Sequence, residues 1–238
     1  MDDDTHAGAR HFCDLMEQVR GGSPPPAVLV AGCGLGHEAR YIHARLGGET
    51  VGVDRVLADE AREPAPEGCT LMEASVLELP FEDESFDAVF YHHVIEHVPD
   101  APGSLVELAR VLRPGGWLYV GTPNRHRVVG YLGSFDATLR DKLAWNLADY
   151  RARLRGEFRN ELGAHAGFTE GELRRLMDPH FTDHRSLTSD YLHFKYGRRL
   201  PAPVLRVVAD TPIAAVAAPG IYALARRPGH HTPEVGDD

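Results

Sequence analysis

Three glycines directly after a short apolar run constrain the fold more than any other part of this sequence. Residues Ala27–Ala31 have the composition of a buried strand, and Gly32, Gly34 and Gly36 follow at once. Glycine permits a sharp turn and lets a ligand lie against bare backbone. A helix starting after the loop would point its free N–H groups at a polar or anionic ligand. The junction therefore predicts a strand, a ligand-binding turn and a helix.

Strand and helix patterns alternate through most of the chain. This alternation predicts an α/β fold, a doubly wound and mostly parallel seven-stranded sheet with helices on both faces and a final antiparallel strand pair. The predicted strands are Ala27–Ala31, Thr50–Asp54, Cys69–Ala74, Phe86–Tyr91, Trp117–Gly121, Phe181–Leu192 and Gly220–Ala225. Apolar residues at helical spacing predict helices over 12–19, 35–46 and 105–112.

A chain of 238 residues is long enough for one well-filled α/β domain and short for two. We expect an N-terminal helix and linker over residues 1–26, the α/β domain over 27–227, and a disordered tail over 228–238. We therefore expect the functional residues to lie within the domain over residues 27–227.

Residues 130–160 interrupt the alternation. Apolar residues from Phe135 to Phe158 step by three or four, which predicts one long amphipathic helix with Ser134 as its N-cap. The segment is too long for a simple connection, so we interpret it as a helical insertion that caps the carboxyl edge of the sheet. A helix packed against the core is the alternative.

Charge and cysteine content narrow the choice of partners. The net charge is −10 and no Lys/Arg run is present, which argues against a nucleic-acid partner. Three scattered cysteines and an acidic N-terminus without signal-peptide features favour the cytoplasm. The most apolar stretch, Val204–Ala225, contains Arg206, Asp210 and two prolines, so it cannot span a bilayer as one apolar helix. We expect a small-molecule substrate and no membrane partner; the oligomeric state is left open.

An acidic residue supports the glycine loop as a nucleoside site. The loop has the spacing G-x-G-x-G, whereas the dinucleotide fingerprint is G-x-G-x-x-G. Asp54 ends the second predicted strand, eighteen residues after Gly36, where a carboxylate can accept hydrogen bonds from ribose hydroxyls. Together the two features predict that one nucleoside cofactor contacts both.

Residues 28–125 resemble the class I S-adenosylmethionine-dependent methyltransferases, particularly the small ones that act on metabolites. The resemblance implies a Rossmann-like fold, S-adenosyl-L-methionine as cofactor, and methyl transfer to a hydroxyl or amine of a small metabolite. It rests on Gly32–Gly36, Asp54, Leu79-Pro80-Phe81, Phe86-Asp87-Ala88-Val89, Ile95–Asp100 and Leu112–Gly116.

The same resemblance implies which residues bind the cofactor. At the methionine end of the cofactor we expect the loop residues Ala31, Gly32, Cys33 and Gly34. At the ribose we expect Asp54 and Arg55, from the tip of the second strand, and at the adenine Ser75 and Val76. Near the methionyl chain we expect Tyr91 and His92. Two positions depart from the family, because Val30 and Ser75 stand where acidic residues are common. We therefore expect weaker or rearranged cofactor binding.

A histidine cluster follows the fourth predicted strand. If a helix begins there, His93, Glu96 and His97 share one face, and His93 is our candidate general base. Resemblance to methyltransferases with a Glu-x-x-Glu-His string leaves open a divalent metal at these three residues and His165. The alternative is that Glu96 and His97 only brace the helix start. His126 is a further candidate base.

Other functions remain open at this point. The resemblance extends to enzymes that 2′-O-methylate small RNAs with a metal, which also carry Thr-Pro-Asn after the fifth strand, as residues 122–124 do here. A nicotinamide-dependent oxidoreductase is disfavoured by the glycine spacing. A cofactor-binding protein without catalytic activity is the remaining alternative.

Overall fold

The computed structural model describes residues 6–131, 137–160 and 165–229. Their seven strands form one sheet in the order β3-β2-β1-β4-β5-β7-β6. The strands are β1 (Val28–Ala31), β2 (Thr50–Asp54), β3 (Cys69–Glu73), β4 (Phe86–His92), β5 (Leu112–Pro123), β6 (Thr182–Ser186) and β7 (Gly220–Arg226). The first five pair in parallel, and β7 runs antiparallel to both of its neighbours.

The α-helices of the described residues are α1 (Ala7–Arg20), α2 (His37–Leu46), α3 (Ala101–Val111), α4 (Leu139–Leu154), α5 (Glu170–Met177), α6 (Thr188–Tyr196), α7 (Ala202–Asp210) and α8 (Ala214–Ala217). Short 3₁₀ turns occupy Asp59–Arg62 and Ile95–His97. No helix among them is both long and apolar enough to cross a membrane.

The sheet has a packed core on each face. Residues of α1, α2 and α6 form one cluster with strand residues such as Val30 and Phe90. Residues of α3 and α5 form the other with residues such as Leu29 and Tyr91. Alternate residues of the buried strands thus serve opposite cores, which explains their nearly continuous apolar composition. The predicted doubly wound, mostly parallel sheet with a terminal antiparallel pair is confirmed.

Three predictions of secondary structure need correction. The fifth strand was predicted to start at Trp117, but it runs from Leu112 to Pro123, so residues 113–116 already lie in the strand. The predicted strand Phe181–Leu192 ends at Ser186, and α6 starts two residues later. No helix starts at the histidine cluster: only the turn Ile95–His97 is present, and α3 begins at Ala101.

The helix in the insertion is shorter than the stretch of apolar residues, 135–158, from which it was predicted. It begins after Thr138, whose side chain and that of Asp141 form a capping box, and it ends at Leu154. Phe158 lies beyond Gly156, which has a φ of +71°, and packs under arginine side chains instead of extending the helix. Ser134, Phe135 and residues 230–238 of the predicted tail lie outside the described residues. The domain division at residues 26 and 27 stays a prediction.

Candidate cofactor and active site

The glycine loop turns because three of its residues have left-handed backbone. Gly32, Gly34 and Gly36 have φ angles of +79°, +50° and +77°. A Cβ at Gly32 would collide with the side chain of Val94, and one at Gly36 with that of Leu71. These two positions therefore require glycine for packing as well as for conformation.

Gly34 differs from the other two loop glycines. A Cβ built there meets no described atom within 4 Å, so its backbone borders open space. Its N–H donates a 2.8 Å hydrogen bond to Oδ2 of Asp54, and the N–H groups of Gly32 and Cys33 both reach the carbonyl of Val53 at 2.8 Å. The loop and the tip of β2 are thus joined directly, as a shared ligand requires.

The predicted adenine side lies next to this junction. The N–H of Ala74 donates to the carbonyl of Asp54 at 2.8 Å, which brings Ser75 close to β2. The Ser75 hydroxyl accepts the N–H of Leu77 at 3.1 Å, while Val76 is buried in the core. Arg55, by contrast, is exposed at the end of β2.

Tyr91 and His92 leave the sheet on opposite faces. The Tyr91 side chain is fully buried, and its hydroxyl donates to Oγ of Ser104 at 3.1 Å. Its side chain therefore serves the core, and only its backbone can face a ligand. The His92 ring lies on the other face, where Gly8 and Gly121 leave room for it: a Cβ on either would come within 2.5 Å of the ring.

A carboxylate that the sequence analysis missed holds His92. Nδ1 of His92 lies 3.5 Å from Oε1 of Glu38, in the first turn of α2, and Nε2 of His92 has no described partner. Burial lowers the pKa of His92, with His93 acting in the same direction. Burial would raise the pKa of Glu38, but the contact with His92 outweighs it and lowers that pKa. The Glu38 carboxylate thus orients the His92 ring from α2.

His93 contacts a second buried carboxylate. Its φ of +56° turns its exposed side chain back, so that Nδ1 lies 3.4 Å from Oε1 of Glu96. Oε2 of Glu96 accepts the hydroxyl of Thr122 at 3.0 Å. Burial alone would raise the pKa of Glu96, but the neighbouring histidines lower it below its usual range. An ionised, buried carboxylate thus orients His93, and the left-handed backbone replaces the helical spacing that the sequence suggested.

The other histidines of the cluster are also close. Nε2 of His97 lies 3.9 Å from Oε1 of Glu96, and the His97 ring lies 4.6 Å from that of His165. Burial and His97 lower the pKa of His165. Within the described ranges, no group of three or more His, Cys, Asp or Glu residues is arranged to hold a metal ion. His126 is exposed beyond β5.

A cavity of about 410 Å³ opens beyond the carboxyl end of β5. Its walls include Asn124 and His126 on one side, and Thr211 and Pro212 on another. Glu170 accepts hydroxyl groups from two other lining residues, Ser186 at 2.8 Å and Thr188 at 2.7 Å. The lining combines hydroxyl, imidazole and carboxylate groups with small apolar side chains, as expected of a pocket for a compact polar molecule.

Comparison with known proteins agrees with this geometry. Residues 29–120 match the family described as methyltransferase domain. The glycine loop, the carboxylate at the tip of β2 and the five parallel strands lie in this segment or extend past it by at most three residues. The predicted resemblance to the class I S-adenosylmethionine-dependent methyltransferases is therefore confirmed over residues 29–120.

Individual proteins are similar to about two fifths of the chain. The chain is 42% identical over 102 residues to a probable S-adenosylmethionine-dependent methyltransferase of Mycobacterium tuberculosis; the match covers 41% of this chain and 36% of that protein. It is 35% identical over 102 residues to the chloroplastic tocopherol O-methyltransferase of Arabidopsis thaliana, covering 40% and 29%. These matches span about a third of the length of the relatives.

A solved structure shows the same fold. The structure of the 1,6-didemethyltoxoflavin-N1-methyltransferase of Burkholderia thailandensis with bound 1,6-didemethyltoxoflavin and S-adenosylhomocysteine superposes with a TM-score of 0.54. The sequence identity is 20%, and the match covers 94% of this chain and 80% of that one.

Proposed function

We propose that this protein transfers a methyl group from S-adenosylmethionine to a hydroxyl or amine of a small metabolite. The observation that carries the proposal is the hydrogen bond between Gly34 and Asp54 beside open space. That arrangement offers bare backbone for an amino-acid moiety and a carboxylate for a ribose within one site.

The residues present fit this cofactor. No side chain fills the space at Gly34, and Asp54 uses one oxygen for the loop, so that Oδ1 is left for a ribose hydroxyl. The main chain of Ser75 and Tyr91 would border the adenine and the methionyl chain, with Ala31, Gly32 and Cys33 completing the loop. When bound, the cofactor supplies an activated methyl group on a sulfonium.

The chain's own contribution is alignment and proton removal. Because Nδ1 of His93 faces the Glu96 carboxylate, Nε2 is the nitrogen left to accept a proton from the acceptor. Nε2 of His93 would accept the proton of the acceptor O–H or N–H group, which leaves an electron pair on oxygen or nitrogen for the new bond to the methyl carbon. In that transfer the carbon–sulfur bond of the cofactor would break, and its electron pair would stay on sulfur. Glu96 would stabilise the resulting imidazolium, as the orienting group does in other base-activated sites.

The walls of the 410 Å³ cavity support a small acceptor. Several of them come from the segment 196–218, which precedes β7 and belongs to the part of the chain outside the family match. Tocopherol, the substrate named for one relative, shows that methylation of a hydroxyl on a small molecule occurs among similar proteins. It does not define the acceptor of this chain.

The direct test is calorimetric titration of the full chain with S-adenosylhomocysteine, S-adenosylmethionine and NAD. Binding of the two adenosyl-amino-acid ligands without binding of NAD supports the proposal. Saturable binding of NAD alone would replace it with a nicotinamide-dependent function. Transfer of an isotope-labelled methyl group should then be screened over small hydroxyl and amine compounds, with and without a chelator.

A further inference from the structure

Helix α4 presents a row of large apolar side chains to solvent. Leu139, Leu143, Leu147, Tyr150 and Leu154 recur at steps of four, four, three and four, which places them on one side of the helix. All five are exposed, and Leu154, Leu139 and Leu143 are 88%, 74% and 63% exposed. The row extends over about 22 Å at 1.5 Å per residue. Scattered exposed leucines are ordinary, but a continuous row on one helix is not.

Another side of the helix holds it to the protein. Asn146 accepts the N–H of Gly130 at 2.7 Å, and Asp149 pairs with the buried guanidinium of Arg127 at 2.8 Å. Arg153 lies over the ring of Phe158 at 3.9 Å. Since these contacts fix α4 without burying the leucines, the row is not needed to hold the helix in place.

The apolar surface continues across the chain beyond α4. The hydroxyl of Tyr150 donates to the carbonyl of Val128, and the N–H of Val128 donates to the carbonyl of Val216 at 2.9 Å. The side chains of Val128 and Val216 are 52% and 41% exposed, and Val129 and Ile213 are also exposed. We call these four residues, together with the α4 row, the apolar belt.

The belt lies on the side of the molecule where ligands enter. Residues 128 and 129 follow the carboxyl end of β5, and α8 leads into Gly220, which pairs with Pro123 at that same end. Ligands of open α/β sheets bind at the carboxyl ends of the strands. The belt and the candidate active site therefore share one edge of the sheet.

The charge around the belt has the opposite sign to that of the whole protein. The chain carries a net charge of −10, whereas residues 139–160 contain six Arg or Lys and three Asp or Glu. Arg140 and Arg151 border the leucine row on its solvent side and have no ion-pair partner among the described residues. An anionic surface would neutralise these cations, whereas a symmetric contact with a second copy would bring them together.

We propose that the apolar belt binds the surface of a bilayer containing anionic phospholipids, with α4 lying in the plane of the headgroups. A row of leucine and tyrosine side chains suits contact with the acyl–headgroup boundary, and the arginines beside it suit anionic headgroups. No spanning segment is needed, but the proposal departs from our expectation of no membrane partner. It is independent of the proposed methyl transfer, because vesicle binding requires neither cofactor nor acceptor.

The test is co-sedimentation of the full chain with vesicles of phosphatidylcholine alone and of phosphatidylcholine with phosphatidylglycerol. We expect the wild type to bind the anionic vesicles and to bind the neutral ones at least tenfold more weakly. The double variants Leu143→Asp/Leu147→Asp and Arg140→Glu/Arg151→Glu should each lose at least tenfold in binding to the anionic vesicles.

The control is Val19→Asp/Val106→Asp, which places two carboxylates at exposed apolar positions of α1 and α3. It should sediment as the wild type does, and unchanged melting temperatures would show that all variants fold. Equal binding to both vesicle types, or wild-type binding by the leucine variant, would overturn the proposal. A wild type that binds no vesicles would also overturn the proposal. If that wild type is a dimer and the leucine substitutions make it a monomer, a second copy of the chain covers the belt.

Discussion

The backbone N–H of Gly34 lies 2.8 Å from Oδ2 of Asp54, so that the glycine loop and the carboxylate form one unit before any ligand arrives. A hydrogen bond to a charged oxygen is stronger than a neutral one, and here it fixes a left-handed loop residue. The two groups proposed to contact opposite ends of the cofactor are thereby held in a fixed relation. Such preorganisation lowers the ordering cost of binding.

Replacing Asp54 with Asn should weaken cofactor binding without unfolding the protein. The Asn carbonyl can still accept the Gly34 N–H, but the amide group then replaces the charged oxygen that would accept from the ribose. Hydrogen bonds to charged groups contribute about 1.5–3 kcal/mol, so the Kd for S-adenosylhomocysteine should rise roughly 10- to 100-fold by calorimetry. Asp59→Asn, the same change in the exposed turn after β2, should leave the Kd unchanged. A wild-type Kd in Asp54→Asn would remove Asp54 from the site.

Alanine substitutions at two glycines can distinguish a methyl group that blocks the ligand space beside the loop from the cost of a left-handed backbone. Gly34 and Gly21 have φ angles of +50° and +54°, and a Cβ at either meets no described atom within 4 Å. Alanine at each should cost about 1 kcal/mol through the left-handed backbone, seen as a similar fall in melting temperature. Only Gly34→Ala should lose S-adenosylhomocysteine binding, by at least tenfold, because its methyl group enters the ligand space. Equal affinity in both variants would show that the ligand lies elsewhere.

The sequence was sufficient to predict the sheet and the loop because these depend on local patterns. The apolar runs, the Gly32–Gly36 loop and the carboxylate of Asp54 at a strand end are all features that a short stretch of sequence displays by itself. The strand order was not predicted and comes from the structure. The contact between Gly34 and Asp54 was implied because consecutive parallel strands end at the same edge. The antiparallel final pair was likewise predicted, although its boundaries were not.

The partners of the histidines could not be predicted, because they depend on tertiary contacts and on one backbone angle. The sequence suggested that a helix would align His93 with Glu96, whereas a φ of +56° at His93 produces the contact without a helix. Glu38 reaches His92 from a helix more than fifty residues earlier in the chain, and no spacing rule connects them. Glycines at positions 8 and 121, which admit the His92 ring, carry no local signal of that purpose.

Replacing His93 with Asn should abolish turnover while cofactor binding persists. Asn tolerates a positive φ, so the variant removes the imidazole without adding the backbone strain that alanine would. Loss of a general base typically lowers kcat by 10²–10⁴-fold, and the Kd for S-adenosylhomocysteine should stay within about twofold of wild type. His93→Ala should lose turnover as well.

The control is His43→Asn, which removes a histidine from the last turn of α2, at the opposite end of that helix from the glycine loop. It should keep full activity, because His43 contacts neither the histidine cluster nor the walls of the 410 Å³ cavity. Turnover at the wild-type rate in His93→Asn would eliminate His93 as the base and leave Glu96 with a structural role only.

Stability should fall as the solution is acidified from pH 6.5 towards pH 4, because His11 is buried in its neutral form. The ring lies among Tyr119, Tyr191 and Phe194, and its Nδ1 is 3.2 Å from the Tyr119 hydroxyl. Burial lowers the pKa of His11 from 6.5 to about 4. The unfolded chain takes up a proton near pH 6.5, whereas the folded chain does so only near pH 4. Between these values protons favour the unfolded state, by roughly 2–3 kcal/mol over the whole interval.

Urea unfolding at pH 7.5, 6.0 and 4.5 measures this effect as a loss of unfolding free energy. His11→Gln can keep a polar contact with Tyr119 but cannot titrate, so its stability should fall less steeply with pH than that of the wild type. Burial of His92 acts in the same direction, so some dependence should persist in the variant. His126→Gln removes an exposed histidine and should reproduce the wild-type slope. Identical slopes in His11→Gln and wild type would mean that His11 takes up its proton equally readily in both states, and that its buried position does not contribute to acid sensitivity.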